Sequence, residues 1–400
     1  MSQTTLPAAD RVAPPGNVPH ATPPKRRPVP GQAAVATVLA RADVLVDGPR
    51  PWDMRVHDPG VFPRLLRNGS LALGEAYMDG AWDCEALDQM LTRLLRARLD
   101  EAVIGWADRW DALRARLFNR QRGRRAFEVG ERHYDLGNDL YRAMLGERLV
   151  YSCGYWSEAT DLDAAQVAKL DLIARKLGFE PGMRVLDIGC GWGGALAFFA
   201  ERYGVRGVGI TISAEQARWA RDVCRGLPVE IRLQDYRSVD ETFDRIYSVG
   251  MFEHVGVRNY RRYFGMVRRC LRDNGLFLLH AIGSSDSVSH CNPWLGRYIF
   301  PNSMLPSISQ IGAASERVLT MEDWHNFGAD YDRTLMAWHR RFTAAWPGLR
   351  QRYDETFRRM WDFYLLSCAG YFRARQAQLW QVVFSRDGVP GGYRVAAGIR

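Results

Sequence analysis

From about residue 163 onward, apolar runs of strand length alternate with amphipathic segments of helical periodicity, and this alternation constrains the fold more than any other feature. The helical patterns are DAAQVAKLDLIARKLGF, which opens with Asp163, then GALAFFAERYG and AEQARWARDVCRGL. The strand patterns are MRVLDIG, VRGVGITIS, FDRIYSVGMF and GLFLLHAIG. Strands that alternate with helices are typical of a parallel sheet with helices on both faces. The sequence therefore predicts an α/β fold with a mostly parallel sheet.

A glycine-rich turn, VLDIGCGWGG at residues 185–194, joins the first predicted strand to a helix. Glycines there let a ligand approach the backbone at the carboxyl edge of the sheet. The turn alone is weak support, because dinucleotide sites and simple packing turns also use glycines. Three features favour S-adenosylmethionine, as in class I methyltransferases. Asp187 lies inside the strand, the loop has no basic residue to hold a pyrophosphate, and the next strand ends in Thr211 rather than in an acid.

The segment LQDYR, residues 233–237, follows a third predicted strand. In class I methyltransferases an acid near this point bonds the adenine amine, and Asp235 with its neighbour Gln234 matches that place. An ordinary surface turn is the alternative interpretation.

Polar residues that could carry chemistry fall at strand ends or in apolar loops. Glu253 in MFEHVG is expected to end the fourth strand, and HAIG, residues 280–283, is expected to end the fifth, which places His280 at the same edge of the sheet. Cys153 in YSCGYW precedes the sheet, and Tyr331 in HNFGADYD follows it. Separately, Cys153 could be a small buried hydrophobe, His280 a core histidine and Tyr331 a packing residue. Because the carboxyl edge of an open α/β sheet is where ligands bind, we expect these residues to converge there.

The chain outside this region is organised into three predicted parts. Residues 1–31 hold eight prolines and are expected to be a disordered leader. Residues 32–112 are expected to form a small helical domain, in which EALDQMLTRLLRARL has apolar residues at helical spacing. Residues 113–132 are expected to be a basic linker, since the stretch 114–133 carries seven arginines. The remainder, 133–400, is the predicted catalytic domain.

The formal net charge of +9 suits an anionic partner, either nucleic acid or an anionic membrane surface. The alternative interpretation is that the charge only keeps the protein soluble. Seven cysteines without a CxxC pair, and a beginning without an apolar signal segment, favour a reducing cytoplasm. No apolar run approaches the roughly 18 residues that span a bilayer, so any membrane contact is expected to be peripheral.

The chain resembles the bacterial cyclopropane-fatty-acyl-phospholipid synthases, which are related to the mycolic-acid cyclopropane synthases, over nearly all of residues 50 to 386. The mycolic-acid enzymes share the catalytic half but lack the first region, so HDPGVFPRLLRNGSLALGEAYMDGAW favours the phospholipid branch. Further matching stretches are HYDLGNDLYRAML, YSCGYW, VLDIGCGWGG, GITISAEQ, DRIYSVGMFEHVG, YIFPNSMLPS and MEDWHNFGADYDRTLMAWHRRF.

The resemblance implies a class I methyltransferase (Rossmann-like) catalytic domain with a smaller N-terminal helical or α+β domain that binds lipid at the membrane. It implies transfer of a methylene unit from S-adenosylmethionine to the cis double bond of an acyl chain in a membrane phospholipid. Methyl transfer would leave a carbocation on the acyl chain, and a bound bicarbonate ion would remove a proton from the new methyl group so that the ring closes. The residues that would hold this ion are Cys153, Glu253, His280, Tyr331 and Ile282, the last through its backbone. His254 has no matched role and is interpreted as structural.

By the same resemblance, Tyr151 and Ser152 lie near the methionine end of the cofactor, Gly189 and Gly191 form its loop, and Thr211 and Gln216 approach the ribose. Asp187, Gln234 and Asp235 complete the expected cofactor site. The family suggests a homodimer at the inner face of the cell membrane, with no nucleic acid and no metal ion.

Three rival functions stay open at this point. The chain could methylate RNA or a small molecule, although no nucleic-acid module is recognisable and the acceptor region is aromatic and apolar. It could make methyl-branched acyl chains, in which the carbocation left by methyl transfer is quenched by a hydride shift and reduction. It could also be a lipid-binding protein without activity, a hypothesis weakened by the presence of Cys153, Glu253 and His280.

Overall fold

A computed structural model describes residues 29–99, 137–288 and 291–395, and in these ranges the main sheet has seven strands. A two-stranded antiparallel sheet, β1 and β2, lies in the N-terminal region. The strands are β1 (Arg55–Val56), β2 (Trp82–Asp83), β3 (Arg184–Ile188), β4 (Arg206–Thr211), β5 (Val229–Leu233), β6 (Phe243–Val249), β7 (Leu271–Ser284), β8 (Thr320–Asn326) and β9 (Ala377–Ser385).

The main sheet has the order β5-β4-β3-β6-β7-β9-β8. Strands β3 to β7 are mutually parallel, whereas β9 runs antiparallel between β7 and β8. The strand order reverses at β3, which puts a ligand-binding crevice at its carboxyl end. The prediction of a mostly parallel α/β sheet is confirmed, and the antiparallel pair β8–β9 is an addition that the sequence patterns did not predict.

Helices cover both faces of the sheet, as predicted. Across the described ranges they are α1 (Gln32–Ala40), α2 (Val61–Met78), α3 (Leu87–Arg96), α4 (Asn138–Leu145), α5 (Leu162–Leu177), α6 (Gly194–Tyr203), α7 (Ala214–Val223), α8 (Tyr260–Cys270), α9 (Pro293–Tyr298), α10 (Ile308–Ser315), α11 (Ala329–Leu349) and α12 (Glu355–Arg373). One apolar core joins the sheet to α5, α6 and α7, and another joins it to α8 and α10.

Helix α5 shows how local chemistry sets the element bounds. It begins one residue before the predicted Asp163, because the carboxylate of Asp161 accepts a hydrogen bond from the amide of Ala164 and so caps the helix. It ends at Gly178, whose φ of 57° is the left-handed conformation typical of a helix terminus. The predicted helix is therefore present, shifted by one residue at its start.

The N-terminal helices share a core with the C-terminal ones. Buried side chains of α3, among them Leu87, Met90 and Leu91, belong to the same apolar cluster as Trp361 and Leu365 of α12. The backbone contact is close as well, because a Cβ added at Gly370 of α12 would lie 3.1 Å from the amide of Thr92. Helix α3 is thus packed directly against α12.

Part of the predicted domain organisation lies outside the described residues. Most of the proline-rich leader, 1–31, and all of the basic linker, 113–132, fall in ranges that the structure does not describe. The division into a lipid-binding domain at 32–112 and a catalytic domain at 133–400 stays a prediction.

One predicted strand end is wrong in position and the other is correct to within one residue. HAIG was expected to end the fifth strand, and β7 ends at Ser284, one residue after Gly283. His280 lies four residues before that end, between Val249 of β6 and Gln381 of β9. Strand β6 ends at Val249, and Glu253 follows it in a 3-10 turn, Phe252–His254.

Candidate active site

A cavity of about 190 Å³ lies at the carboxyl ends of β3 and β4. Its lining includes every residue that was predicted to contact the cofactor: Tyr151, Ser152, Asp187, Gly189, Gly191, Thr211, Gln216, Gln234 and Asp235. These residues come from five separate segments of the chain, so their convergence on one cavity follows from the fold rather than from sequence proximity. We refer to it as the cofactor cavity.

The glycine turn after β3 shapes one side of this cavity. Gly189 has a φ of 90°, and a Cβ there would lie 2.8 Å from the side chain of Met251. Gly191 has a φ of 53°, and a Cβ there would meet no atom within 4 Å, because the residue faces open space. Only glycine adopts such angles without strain and leaves the backbone accessible to a ligand.

The end of β4 carries a hydrogen-bonded group of three side chains. The hydroxyl of Thr211 donates to Oε1 of Gln216 at 3.0 Å, and it accepts from the amide of Ser213 at 3.2 Å. The hydroxyl of Ser213 caps α7 by accepting from the amide of Gln216. Thr211 and Gln216 are therefore fixed with respect to each other at the cavity surface.

Asp235 also lines the cofactor cavity and precedes a 3-10 turn, Tyr236–Ser238. Its carboxylate accepts from the backbone amide of Arg237 at 2.9 Å and from Nε of the same residue at 2.8 Å. Burial alone would raise the pKa of Asp235, but the hydrogen bonds from Arg237 outweigh it and lower the pKa. Asp235 is thus an ionised acceptor that is already partly engaged.

Asp187 and Lys169 are two buried ionisable residues in the lining of the cofactor cavity. Asp187 is buried, and its Oδ2 accepts from the hydroxyl of Tyr247 at 2.8 Å, whereas its Oδ1 has no hydrogen-bond partner. Burial raises the pKa of Asp187 to about 7. Lys169 is fully buried, its Nζ donates to Oγ of Ser152 at 2.8 Å, and burial lowers its pKa to about 7.

Glu253 is the central acid of the candidate catalytic group and is 5% exposed. Its Oε1 accepts from the backbone amide of Ile282 at 2.7 Å, while its Oε2 has no hydrogen-bond partner. Burial raises the pKa of Glu253 to about 7, although the Ile282 amide acts in the opposite direction. The side chain is therefore held in place on one oxygen and available on the other.

His280 and Cys153 are more deeply buried than Glu253, and neither belongs to the lining of the cofactor cavity or of the second cavity described below. His280 is 1% exposed, with Nδ1 3.3 Å from Nε2 of Gln381 and with Nε2 unpartnered. Burial, aided by Lys169 and Lys176, lowers the pKa of His280 well below its ordinary value. The imidazole is consequently neutral.

The Cys153 thiol lies 3.1 Å from the carbonyl of Gly154 and 3.8 Å from the hydroxyl of Thr334. Burial raises the pKa of this thiol well above its ordinary value, so it is protonated and can donate a hydrogen bond. It is not a nucleophile, because the thiolate is the reactive form.

Tyr331 lies in the first turn of α11, with its ring 4.5 Å from that of Phe372. Burial raises the pKa of its hydroxyl well above the ordinary value, and nearby Cys153 and Glu253 act in the same direction. This electrostatic coupling places Tyr331 near both residues.

A second cavity, of about 1490 Å³, contains Glu253, Ile282 and Tyr331 in its lining. It meets the cofactor cavity at Tyr151 and His254, which line both. We refer to it as the large cavity. Apolar side chains of the N-terminal helices line its far part: Val35, Val38, Leu39, Leu65, Leu66, Leu91, Leu94 and Leu95.

Aromatic rings surround the part of the large cavity near Glu253. The hydroxyls of Tyr151 and Tyr364 are 2.7 Å apart, and the ring of Tyr364 lies 5.7 Å from that of Phe300. Together with Tyr331 and Phe372 these residues line the large cavity, and we call the five residues the aromatic wall. Ring faces attract cations, which suits this wall to a positively charged reaction centre.

His254 was interpreted as a structural residue, and this stays a prediction. It is buried, its Nδ1 has no hydrogen-bond partner, and it lines both cavities. Burial lowers its pKa to about 4, so the imidazole is neutral at the junction of the two cavities.

Lys169 is the functional candidate that the sequence reasoning missed. The signal for Lys169 was present, because Leu162, Ala165, Lys169, Leu172 and Lys176 follow the spacing of one buried helix face. A lysine at such a position is exceptional.

No three His, Cys, Asp or Glu side chains within the described residues are grouped so as to hold a metal ion. Of the helices that the structure describes, none combines the length and the apolar composition needed to cross a bilayer.

The strand order, the glycine turn after β3 and the cavity at the carboxyl edge define a class I S-adenosylmethionine-dependent methyltransferase. The cyclopropane synthase MmaA2 of Mycobacterium tuberculosis superimposes with a TM-score of 0.61 and 29% identity, covering 65% of this chain and 98% of that one. The mycolic acid cyclopropane synthase CmaA1 in complex with SAH and CTAB gives a TM-score of 0.60 and 30% identity, covering 65% and 98%.

Residues 121–382 match the family described as Mycolic acid cyclopropane synthetase. The chain is 54% identical over 360 residues to the cyclopropane-fatty-acyl-phospholipid synthase of Escherichia coli strain K12, covering 90% of this chain and 94% of the relative. It is 33% identical over 377 residues to the tuberculostearic acid methyltransferase UfaA1 of Mycobacterium tuberculosis, covering 86% and 85%. The chain therefore belongs to the mycolic acid cyclopropane synthetase family, and the resemblance inferred from its motifs is confirmed.

Proposed function

We propose that the protein transfers a methylene unit from S-adenosylmethionine to the cis double bond of unsaturated acyl chains in membrane phospholipids. The observation that carries this proposal is the pair of adjoining cavities. The cofactor cavity meets a much larger cavity at Tyr151 and His254, and the large one extends to the apolar faces of α1, α2 and α3. An acyl chain needs such an apolar passage to reach the methyl donor.

The cofactor fits the cavity for a structural reason. The unpartnered Oδ1 of Asp187 and the open backbone at Gly191 offer polar contacts that this chain does not satisfy itself. When bound, S-adenosylmethionine would supply an electrophilic methyl group: the bond from sulfur to this methyl breaks as a carbon–carbon bond forms with the alkene, S-adenosylhomocysteine is the leaving group, and a cation is left on the acyl chain. Loss of a proton from the new methyl group then closes the ring, so the chain gains one CH2.

The aromatic wall would stabilise the cation on the acyl chain. The rings of Tyr151, Phe300 and Tyr364 line the large cavity near Glu253 and present no charge that could trap the cation covalently. Such contacts are worth about 2 kcal/mol when water is excluded.

We further propose that a bicarbonate ion is the base, held by Cys153, Glu253, His280, Tyr331 and the backbone of Ile282. The fit is supported by two unpartnered buried atoms, Oε2 of Glu253 and Nε2 of His280. Because the pKa of Glu253 is raised to about 7, this carboxyl can carry a proton beside a second anion. The protonated Cys153 thiol and the Tyr331 hydroxyl can donate. The Ile282 amide already donates to Glu253, so it would act through that carboxyl.

A phospholipid is the favoured acceptor because the similarity to the Escherichia coli enzyme covers 90% of the chain and so extends into the N-terminal helices. The mycolic acid synthase structures cover only 65%. The large cavity is lined by these N-terminal helices, which gives them a role in receiving lipid. The bound CTAB, a long-chain alkylammonium detergent, is consistent with an apolar chain in the relative's site.

The same proposal makes the protein a cytoplasmic homodimer that acts at the inner face of the cell membrane. The arginine-rich stretch 114–133 lies outside the described residues, and its composition supports attraction to anionic lipid. Analytical ultracentrifugation, with and without vesicles, tests both statements.

A methyl-branched product is the second candidate, favoured by the 33% identity to a tuberculostearic acid methyltransferase. Mass spectrometry of lipids from cells that express the protein separates the two. A cyclopropane chain gains one CH2, loses its double bond and resists mild catalytic hydrogenation. A methyl-branched chain, in which the cation is quenched by hydride shift and reduction, gains CH4 rather than CH2 relative to the unsaturated chain, and its appearance in place of the cyclopropane would overturn the proposal.

A further inference from the structure

Lys169 is a buried cation that the proposed chemistry does not use. Its side chain is fully buried in α5, and its Nζ donates to Oγ of Ser152 at 2.8 Å. Within the part of the chain that the structure describes, no carboxylate lies within 4 Å of this ammonium group. Lys176, the other fully buried lysine of α5, differs because it has Asp323 at 3.4 Å.

An unpaired buried ammonium group is costly, since the loss of hydration is not repaid by a counter-charge. Lys169 nevertheless lines the cofactor cavity, beside Tyr151 and Ser152. These two residues were assigned to the methionine end of S-adenosylmethionine, and the only anionic group of that molecule is its methionine carboxylate. The missing counter-charge and the ligand's anion therefore fall at the same end of the cavity.

We propose that Lys169 is a positioning residue that supplies the counter-charge for the cofactor's carboxylate, acting through the hydroxyl of Ser152. The ammonium group orients that hydroxyl as a donor toward the cavity, because Oγ of Ser152 accepts from Nζ and keeps its own proton available. This inference rests on cofactor binding and is independent of which lipid is the acceptor.

Four ionisable groups face Lys169 from the packed elements: Cys153 from the preceding loop, Asp187 from β3, Tyr247 from β6 through Asp187, and His280 from β7. Burial keeps Cys153 and Tyr247 protonated and His280 neutral across the physiological range. Among Lys169 and the four groups that face it, only Lys169 and Asp187 have a pKa near 7. A carboxylate bound beside Lys169 would raise its pKa, so binding at pH 8 takes up a proton.

Calorimetric titration of the full chain with two ligands tests the proposal. S-Adenosylhomocysteine carries the methionine carboxylate, and 5′-methylthioadenosine lacks the amino-acid moiety. We expect Lys169→Met to weaken binding of S-adenosylhomocysteine by about tenfold or more, and that of methylthioadenosine by less than about twofold. Unchanged methylthioadenosine affinity shows that the variant is folded. Lys176→Met is the matched control and should not discriminate between the ligands. Equal losses for both ligands in Lys169→Met would overturn the proposal.

Proton uptake is the second readout, measured at each pH in buffers of different ionisation enthalpy. Native protein should take up about one proton with S-adenosylhomocysteine at pH 8 and close to none at pH 6, in addition to any change on the ligand. Lys169→Met should abolish this increment. Uptake that survives in Lys169→Met but disappears in Asp187→Asn would assign the proton to Asp187 and refute the inference. Neither readout depends on turnover, so a wrong lipid assignment cannot produce either result.

Discussion

Replacing Glu253 by Gln should abolish most turnover and at the same time stabilise the protein at alkaline pH. The carboxyl is 5% exposed, and burial raises its pKa from 4.5 to about 7. An acid with a raised pKa destabilises the folded state wherever the unfolded chain would be ionised. This penalty begins as the pH rises above the unfolded pKa and is complete above the folded pKa.

The size of the penalty follows from the two pKa values. At pH 8 the unfolded state is favoured by ionisation of Glu253 by about 3 kcal/mol, because each pKa unit corresponds to about 1.4 kcal/mol. At pH 4.5 the same term is only about 0.4 kcal/mol, since the folded carboxyl is then protonated and the unfolded one is half protonated. Glu253→Gln removes the term entirely.

The substitution also introduces an effect that does not depend on pH. The amide oxygen of Gln can still accept from the Ile282 amide, but its nitrogen replaces Oε2, which has no partner in the structure. An unsatisfied buried donor costs about 1–3 kcal/mol. The informative quantity is therefore the change between pH 4.5 and pH 8 in the stability difference between variant and native protein.

Urea unfolding at the two pH values measures that quantity. We expect the variant to gain about 3 kcal/mol relative to native protein between pH 4.5 and pH 8. Glu158→Gln, at an exposed position, is the matched control and should show no such gain. In parallel, turnover should fall severely while the affinity for S-adenosylhomocysteine stays nearly unchanged. A stability difference that is independent of pH would refute the buried, raised-pKa carboxyl, and a matching loss of cofactor affinity would refute its catalytic role.

Three further predictions concern the base, the lipid passage and the aromatic wall. Once bound bicarbonate has been removed by exchange at low pH, turnover in carbon-dioxide-free buffer should be low and should recover as bicarbonate is titrated back, and Cys153→Ser should require more of the ion. Full activity in the depleted buffer would identify a side chain as the base. Leu66→Asp, in the lining of the large cavity, should lower kcat/KM on vesicles by about tenfold, whereas the equally exposed Leu45→Asp, outside it, should not; equal effects would contradict the passage. Tyr364→Leu should lower kcat by about tenfold, while Tyr364→Phe, which keeps the ring, should retain most activity; equal losses would favour the hydroxyl.

Much of the catalytic fold could be predicted because its strands are buried on both faces and therefore appear as continuous apolar runs. The runs at 184–188, 206–211 and 243–249 are all strands of the sheet. Strand β8 was missed because TMEDWHN is polar, as suits an edge strand with only one neighbour. Pairing with β9, which is distant in sequence, creates this strand.

The end of β7 could be predicted, because the apolar run GLFLLHAIG stops at Gly283 and the strand ends at Ser284. Its antiparallel pairing with β9 could not be predicted from a local pattern, because the partner residues lie about 100 positions later in the chain.

Spacing on α5 carried a functional signal that motif matching did not use. Two lysines occupy the buried face of one helix, yet among the described residues only Lys176 has a carboxylate within 4 Å, that of Asp323 at 3.4 Å. Folding alone would favour an apolar side chain at position 169, because burying an ammonium group opposes stability. Under our proposal, a ligand that carries a negative charge accounts for a lysine at a position that opposes stability and opens onto the cofactor cavity. The conflict with the helix pattern thus marks Lys169 as a candidate site residue, and the three-dimensional structure was needed to tell it from Lys176 two turns away.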